Sequence, residues 1–319
     1  MSEHVLKAGP ETIVWGRFSA ETPPVLTITS GDRVVVETLS GPPGLLPPEG
    51  NGMTVAPALH AIHAANLPIR FGHLLTGPIA IEGAEPGDML EVRIEAIEPG
   101  ADWGFNAIVP FEGTLPEDFI LPDLDLMHIP IDIEKKTCAL PFGPELPLAP
   151  FFGVMGVAPP PIYGELSSRE PRLHGGNLDN KDLGAGSTLF LPVFVPGANF
   201  LVGDGHGLQG HGEVCVTALE TALSGTFTFV LHKKTGTEPR IGLPRAETPN
   251  AYMTMGFSAD LDEAMRIAVR EMLDLITERL GITRSEAYRL ASLAADFHVT
   301  QTVNGQNGIH GLLPKSVVG

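Results

Sequence analysis

Cysteine is scarce in this chain: Cys138 and Cys215 are the only two in 319 residues. That is too few for a disulfide scaffold, and both read as reduced thiols. Basic charge is also scarce. Twenty Lys and Arg stand against 38 Asp and Glu, a formal net charge of −18. No basic cluster exceeds the pairs Lys135–Lys136 and Lys233–Lys234, so nucleic acid and anionic membrane surfaces, which need a basic patch, are excluded as partners. The N-terminal stretch MSEHVLKAGPETIVWGRFS has no apolar core of the signal-peptide kind, and no apolar run is long enough to span a bilayer. The expectation is a soluble cytoplasmic protein. Several catalytic signatures are missing too: there is no GxSxG elbow, no GxxxxGK[ST] loop, no HExxH, and no GxGxxG opening a helix.

Turn formers are abundant by contrast, with 37 Gly and 30 Pro beside a hydrophobic content of 43%. Short alternating runs of Val, Ile, Leu and Phe between such turns read as a β-rich protein. VLTITSGDRVVVET (25–38) and GPIAIEGAEPGDMLEVRIEAIEP (77–99) each place Gly-Asp just before a run, which predicts hairpin-like turns or sandwich corners with shared turn chemistry. SGPPGLLPPEGNGMTVAPALH (40–60) predicts an ordered loop or a flap over a site. PFFGVMGVAPPP (150–161) reads as buried and irregular. STLFLPVFVPGANFLVGDGH (187–206) predicts a strand–turn–strand hairpin, and VCVTALETALSGTFTFVLH (214–232) two further strands.

The C-terminal part changes period. Leu261, Met265, Ala268, Met272, Ile276 and Leu280 recur at spacings of three and four, a helical face opened by Ser258 or Asp260 and stopped by Gly281. Thr283-Arg-Ser-Glu286 is a capping box that opens a second helix. The expected fold is therefore mainly β (α+β overall), with β-sandwich or barrel-like sheets and a C-terminal helical pair packed on them. A β-rich core over 1–235 and an α+β part over 236–319 are expected to form one integrated unit.

Two polar, glycine-framed clusters carry the candidate chemistry. LVGDGHGLQGHGE sets Asp204, His206, Gln209, His211 and Glu213 among five glycines between 203 and 213. In extended backbone an i, i+2 pair shares a face, so Asp204 with His206, and His211 with Glu213, can each converge. Asp, His and Glu are ligands of divalent metals, and the glycines let backbone approach a ligand. A polar turn with its histidines in solvent would have the same composition. HGGNLDNKD supplies His174, Asn177, Asp179, Asn180 and Asp182, and Asn and Asp also favour plain turns. If 187–206 is a hairpin, it returns the chain and brings the two clusters together. His73 in FGHLLTGP is a weaker candidate, since a lone histidine beside apolar residues is usually structural. His60 and His63 share the i, i+3 spacing of a helical face and read equally as surface residues or as ligands, and Cys215 reads as a small buried hydrophobe.

The block GGNLDNKDLGAGSTLFLPVFVPGANFLVGDGHGLQGHGEVCVTALE (175–220) resembles the signature of the acetamidase/formamidase family. GHLLTGPIAIEGAEPGDMLEVRI, FFGVMGVAPP and SADLDEAMRIAVREMLDLI…QTVNGQNGIHGLLPK resemble it as well, in order, over most of the chain. The resemblance implies hydrolysis of a short-chain linear amide to carboxylate and ammonia by a homodimer or larger homo-oligomer that binds a divalent metal, zinc or alternatively calcium. It implies metal ligation by Asp204, His206 and Asp179, catalysis by Glu213 and His73, and substrate contacts from Asn177, Gln209 and His211. His211 departs from the resemblance, which expects Asp in Q-G-D-G-E, so substrate choice or metal preference is where this chain would differ. Two other readings stay open: a hydrolase or lyase acting on another small amide or imide, and a non-catalytic metal-binding β module.

Overall fold

The computed structural model describes residues 2–69, 72–234, 236 and 241–318. Eighteen of their strands join one predominantly antiparallel sheet, and two short strands, Arg17–Ser19 and Glu165–Ser167, pair separately. Two strand-to-strand pairings among the described residues are parallel: Glu3–Leu6 with Arg33–Glu37, and Leu26–Ile28 with Leu74–Ile81. A sheet this wide must fold over itself to bury its apolar face. The strand Met89–Ile108 shows how. Its first residues pair with Thr188–Pro192 and its last with Asp125–Asp132, while Glu220–His232 runs alongside with register shifts after Thr221 and Thr226. Such shifts bend a strand and let one segment serve two layers. Between the layers lies the main core, where the rings of Phe152, Phe200, Phe227 and Phe229 meet at centroid distances of 5.2–6.2 Å.

The two Gly-Asp turns share their chemistry, as the sequence suggests. Asp32 Oδ2 accepts from the Thr29 amide at 3.0 Å, and Asp88 Oδ2 accepts from the Glu85 amide at 2.8 Å. Each carboxylate thus ties the backbone three residues back. Neither turn closes a hairpin. Leu26–Ile28 joins Leu74–Ile81, whereas Arg33–Glu37 joins Glu3–Leu6 and Glu220–His232, so these turns are corners.

The hairpin expected over 187–206 is also not formed. Thr188–Pro192 pairs with Met89–Ile108 and Arg245–Glu247, while Phe200–His206 pairs with Phe151–Gly156, Leu74–Ile81 and Glu220. Ala198 and Asn199 take left-handed backbone (φ 59° and 56°), and Gly197 donates to the Ala84 carbonyl. The turn therefore carries the chain to another part of the sheet instead of back on itself. Two smaller expectations change as well: 151–156 is a fully buried regular strand, and 214–232 holds one strand, Glu220–His232, preceded by a turn.

The helical pair forms as expected. Asp260 accepts from the Glu263 amide to open Leu261–Leu280, and Gly281 closes it at φ 63°. Thr283 and Glu286 make a reciprocal capping box at the start of Arg284–Ala294. The longer helix lies directly on the strand Ala251–Ser258, where a Cβ on Gly256 would stand 2.2 Å from the Ala264 carbonyl oxygen. The division expected at 235/236 meets Thr235, which lies outside the described residues. Strands from both sides of it share the one sheet, Arg245–Glu247 pairing with Thr188–Phe190.

Candidate active site

The buried strand Phe151–Gly156 is the pivot of the site. Gly175–Asn177 pairs along one edge of it and Phe200–His206 along the other, so Val154 faces both Asn177 and Gly203. The two polar clusters therefore meet as the sequence suggests, but by strand pairing to a third segment and not through a hairpin. At their meeting point sits Gly153. A Cβ there would lie 2.4 Å from Asp204 Oδ2, 2.6 Å from Asp179 Oδ1 and 2.9 Å from His206 Cε1. Only glycine leaves room for these three side chains to converge.

The acidic residues are held in unusual backbone. Asp179, Asp204 and Glu213 have φ of 46°, 58° and 45°, a left-handed region that non-glycine residues seldom adopt and that clusters at functional sites. His206 Nδ1 lies 2.8 Å from Gln209 Oε1, and Gln209 Nε2 donates to the Asp179 carbonyl at 2.9 Å. An amide oxygen can only accept, so Nδ1 carries a proton and Nε2 faces the carboxylates. Nε2 stands 3.2 Å from Asp204 Oδ2 and 3.3 Å from Glu220 Oε1, without an aligned hydrogen bond to either. Asp179 Oδ1 is likewise buried without a partner. The donor atoms of Asp179, Asp204 and His206 all lie within 4.8 Å of one another, as do those of His206, Glu213 and Glu220.

These groups perturb each other strongly. Burial raises the Asp179 and Glu213 carboxyls well above the usual range, with their mutual repulsion adding to the Glu213 shift. Glu220 is raised chiefly by burial. Burial pushes Asp204 up as well, but the His73 and His206 imidazoles outweigh it and hold Asp204 below the ordinary range. For His206 burial works against the charged form, yet Glu220 and Asp204 together push it well above 6.5. Four buried carboxyls around one imidazole can avoid excess negative charge only by binding protons or a cation, and the two buried atoms outside any hydrogen bond, Asp179 Oδ1 and His206 Nε2, fit a divalent cation on chemical grounds.

Above the cluster opens a cavity of about 560 Å³. His73, Asn177, Asp204, Glu213, Glu220 and Asn304 give it a polar floor. His73 Nδ1 lies 3.1 Å from Ser168 Oγ and its Nε2 lies 3.8 Å from Asp204 Oδ1. Asn177 donates to the Arg169 carbonyl and leaves its own Oδ1 without a partner. Asn304 donates to Asp179 Oδ2 at 2.6 Å and reaches Glu213 Oε2 at 3.4 Å. Part of the 40–60 segment does form a wall, because Gly41 to Leu45 border the cavity.

Of the residues singled out from sequence, His73, Asn177, Asp204 and Glu213 line this cavity, with Asp179 and His206 packed beside them. Gln209 is set behind His206 as its hydrogen-bond partner, not at the cavity wall. His211 is not brought there: its ring stacks on His298 and His310, and burial with the His310 neighbour lowers its pKa to about 4. His63 bonds the Gly41 carbonyl and packs near Trp15, away from the floor. Cys215 is half-buried in the turn before Glu220, not inside a strand. Sequence reasoning passed over Glu220, Asn304 and Ser168. Glu220 closes the apolar-looking run VCVTALE, and Asn304 is one of four side-chain amides in QTVNGQNG, where nothing local sets it apart from the other three.

A family model described as the Acetamidase/Formamidase family matches residues 6–173 and 163–318. The fold is similar to that of the crystal structure of an acetamidase from Yersinia enterocolitica, with a TM-score of 0.84 at 30% identity, covering 99% of this chain and 93% of that one. It is similar to an acetamidase from Bacillus halodurans with a TM-score of 0.80 at 31% identity, covering 97% of each chain. A formamidase from Methylophilus methylotrophus is 25% identical over 250 residues, spanning 63% of this chain and 59% of that protein. No helix among the described residues is long and apolar enough to cross a membrane. With the matches extending across both parts of the chain, it belongs to the acetamidase/formamidase family, hydrolases of non-peptide carbon–nitrogen bonds in linear amides.

Proposed function

We propose that this chain hydrolyses a primary amide to a carboxylate and ammonia in the cavity lined by His73, Asn177 and Glu213, with a divalent cation held by Asp179, Asp204 and His206. The observation that carries this reading is the convergence of those three side chains on Gly153, with Asp179 Oδ1 and His206 Nε2 left partnerless. A mixed nitrogen and oxygen donor set suits zinc better than calcium, which takes oxygen ligands. When bound, such a cation polarises a carbonyl and acidifies water towards a pKa of about 7.

Glu213 is the general base and acid. Burial beside Asp179 raises its carboxyl, which brings proton affinity closer to the working pH. It takes a proton from water as the new C–O bond forms. It returns that proton to nitrogen as the C–N bond breaks, so that neutral ammonia leaves and the acid product ionises. Asn304 Nδ2, bonded to Asp179 and within reach of Glu213, bridges the two carboxyls. His73, on the cavity floor, donates in this reading to the oxygen that gains charge in the tetrahedral intermediate. The partnerless Oδ1 of Asn177 is placed to accept from the substrate NH₂.

One observation favours a larger substrate than formamide or acetamide. The walls of the cavity are apolar, with Trp15, Leu39, Phe105, Val109 and Leu124, and about 560 Å³ falls in the range that accommodates drug-sized ligands. Each acyl methylene buried there would strengthen binding by ~0.8 kcal/mol. Ammonia release from formamide, acetamide, longer and aromatic amides and cyclic imides tests both points. A rise in kcat/KM with acyl size supports the larger substrate, and silence across the panel with metal-loaded protein sinks the proposal. Assembly into a homo-oligomer belongs to the same reading, supported by the exposed apolar side chains Phe111, Leu115 and Ile120. Light scattering tests it.

A further inference from the structure

A second group of ligand-type side chains stands outside the cavity. The ring of His211 stacks on His298 with centroids 5.2 Å apart and planes 24° apart. His310 lies 4.9 Å from His211 and 5.3 Å from His298. One carboxylate faces this triad: Asp182 Oδ2 is 3.1 Å from His310 Nε2 and 3.7 Å from His211 Nε2. The donor atoms of Asp182, His211 and His310 all fall within 4.8 Å of one another.

Two of these imidazoles face the one carboxylate, and His211 has the fewer partners. His211 Nδ1 is buried with no hydrogen-bond partner. His310 is fully buried, and its Nδ1 lies 2.7 Å from Thr300 Oγ1. Its Nε2 lies 3.1 Å from Asp182 Oδ2, within hydrogen-bond distance, so both ring nitrogens have partners and the ring is held with Nε2 turned to the carboxylate that His211 also faces. A hydroxyl fixing one imidazole nitrogen while the other faces outward is also how metal-ligating histidines are commonly oriented.

We propose that Asp182, His211 and His310 form a second divalent-cation site, distinct from the Asp179, Asp204 and His206 group, with the His298 ring stacked against its two imidazoles. Two imidazoles and one carboxylate, with a solvent molecule completing four-coordination, make a donor set suited to zinc and its late first-row neighbours, and unsuited to magnesium or calcium. The site joins three segments distant in sequence: the loop after Asn177, the glycine-rich loop 207–213, and the strand pair Asp296–Gln301 and Asn307–Pro314. The same segments deliver Asp179, Glu213 and Asn304 to the cavity, and Gly212 is already bonded to Thr300 and Thr302 by backbone. A cation here clamps the frame of the active site without touching substrate. The proposal does not depend on the amidase reading, since metal binding is read without substrate.

The test is metal stoichiometry and cobalt(II) absorption on the full chain, purified without a polyhistidine tag and reloaded after chelation. Wild type is expected to take up one more equivalent of zinc or cobalt than the His211→Asn and Asp182→Asn variants. Asp204→Asn is expected to keep the equivalent bound at the histidines, with the visible bands of a four-coordinate cobalt site. In His211→Asn the affinity for that equivalent should fall at least ~100-fold, and the zinc-dependent rise in Tm should shrink. Circular dichroism confirms folding, and because Asp182 is only partly buried, Asp182→Asn serves if His211→Asn is unfolded. Unchanged uptake and Tm shift in both variants, or a single equivalent in wild type that Asp204→Asn abolishes, overturns the proposal.

Discussion

His206 Nδ1 stands 2.8 Å from Gln209 Oε1, three residues further along the chain, and this contact fixes which imidazole nitrogen faces the carboxylates. The glycine-rich loop is thus a device that orients one ring. Gln209→Ala is expected to free the ring and to weaken divalent-metal affinity at this site by ~10–100-fold. Competition with a chromophoric chelator measures it, and unchanged affinity would show that the ring is oriented by packing against Phe151 alone.

Glu213→Gln separates chemistry from stability. If Glu213 shuttles the proton, kcat should fall by roughly 10²–10⁴ while bound metal is retained. Because burial opposes ionisation of this carboxyl, the amide should fold at least as stably. Full ammonia-releasing activity in metal-loaded Glu213→Gln would remove Glu213 from the mechanism.

Gly153→Ala addresses the convergence itself. A methyl group placed 2.4 Å from Asp204 Oδ2 and 2.6 Å from Asp179 Oδ1 must push both carboxylates apart. Overpacking of this kind destabilises by about 1–3 kcal/mol, and here metal uptake should fall with it. Urea unfolding together with metal analysis reads both effects. Loss of stability with intact metal uptake would place the cation elsewhere.

His174 makes a prediction about pH. Its ring is buried edge-on to Phe18 at 4.8 Å, neither nitrogen has a partner, and burial, reinforced by Arg172, lowers its pKa to about 3. The folded-state value lies below the unfolded value of ~6.5, so the unfolded chain binds the proton more readily. The contribution to stability is complete above ~6.5 and declines as pH falls towards ~3, by up to ~1.4 kcal/mol per unit. His174→Phe should remove that component: the difference in urea midpoint between variant and wild type should shift in favour of the variant from pH 7 to pH 5. A constant difference would show that His174 does not titrate on unfolding.

Much of the site was legible in sequence because its signals are local. Asp204 and His206 share a strand face by i, i+2 spacing, Asp260 and Thr283 cap helices through residues three positions on, and Gly-Asp marks two turns with the same hydrogen bond. Each depends on neighbours within one turn or one pleat, which the order of residues sets directly. Residue order also placed Asp179 and Asn177 as partners of that strand, on the supposition of a hairpin.

Tertiary structure alone decided how the parts meet. Phe151–Gly156, which reads from sequence as an irregular apolar stretch, is the strand that joins the two clusters, since strand pairing depends on free edges elsewhere in the sheet. Glu220 and Asn304 enter the site from strands and loops far along the chain, where no local pattern distinguishes a functional carboxylate or amide from a surface one. His211 follows the spacing of Glu213 but faces Asp182, His298 and His310, because Gly212 and Glu213 both take left-handed backbone and break the shared face that an extended i, i+2 pair would have. Sequence determined which side chains were available and how each segment bends. The long-range pairing of strands, set by burial and hydrogen-bond satisfaction over the whole sheet, determined which of them share a cavity.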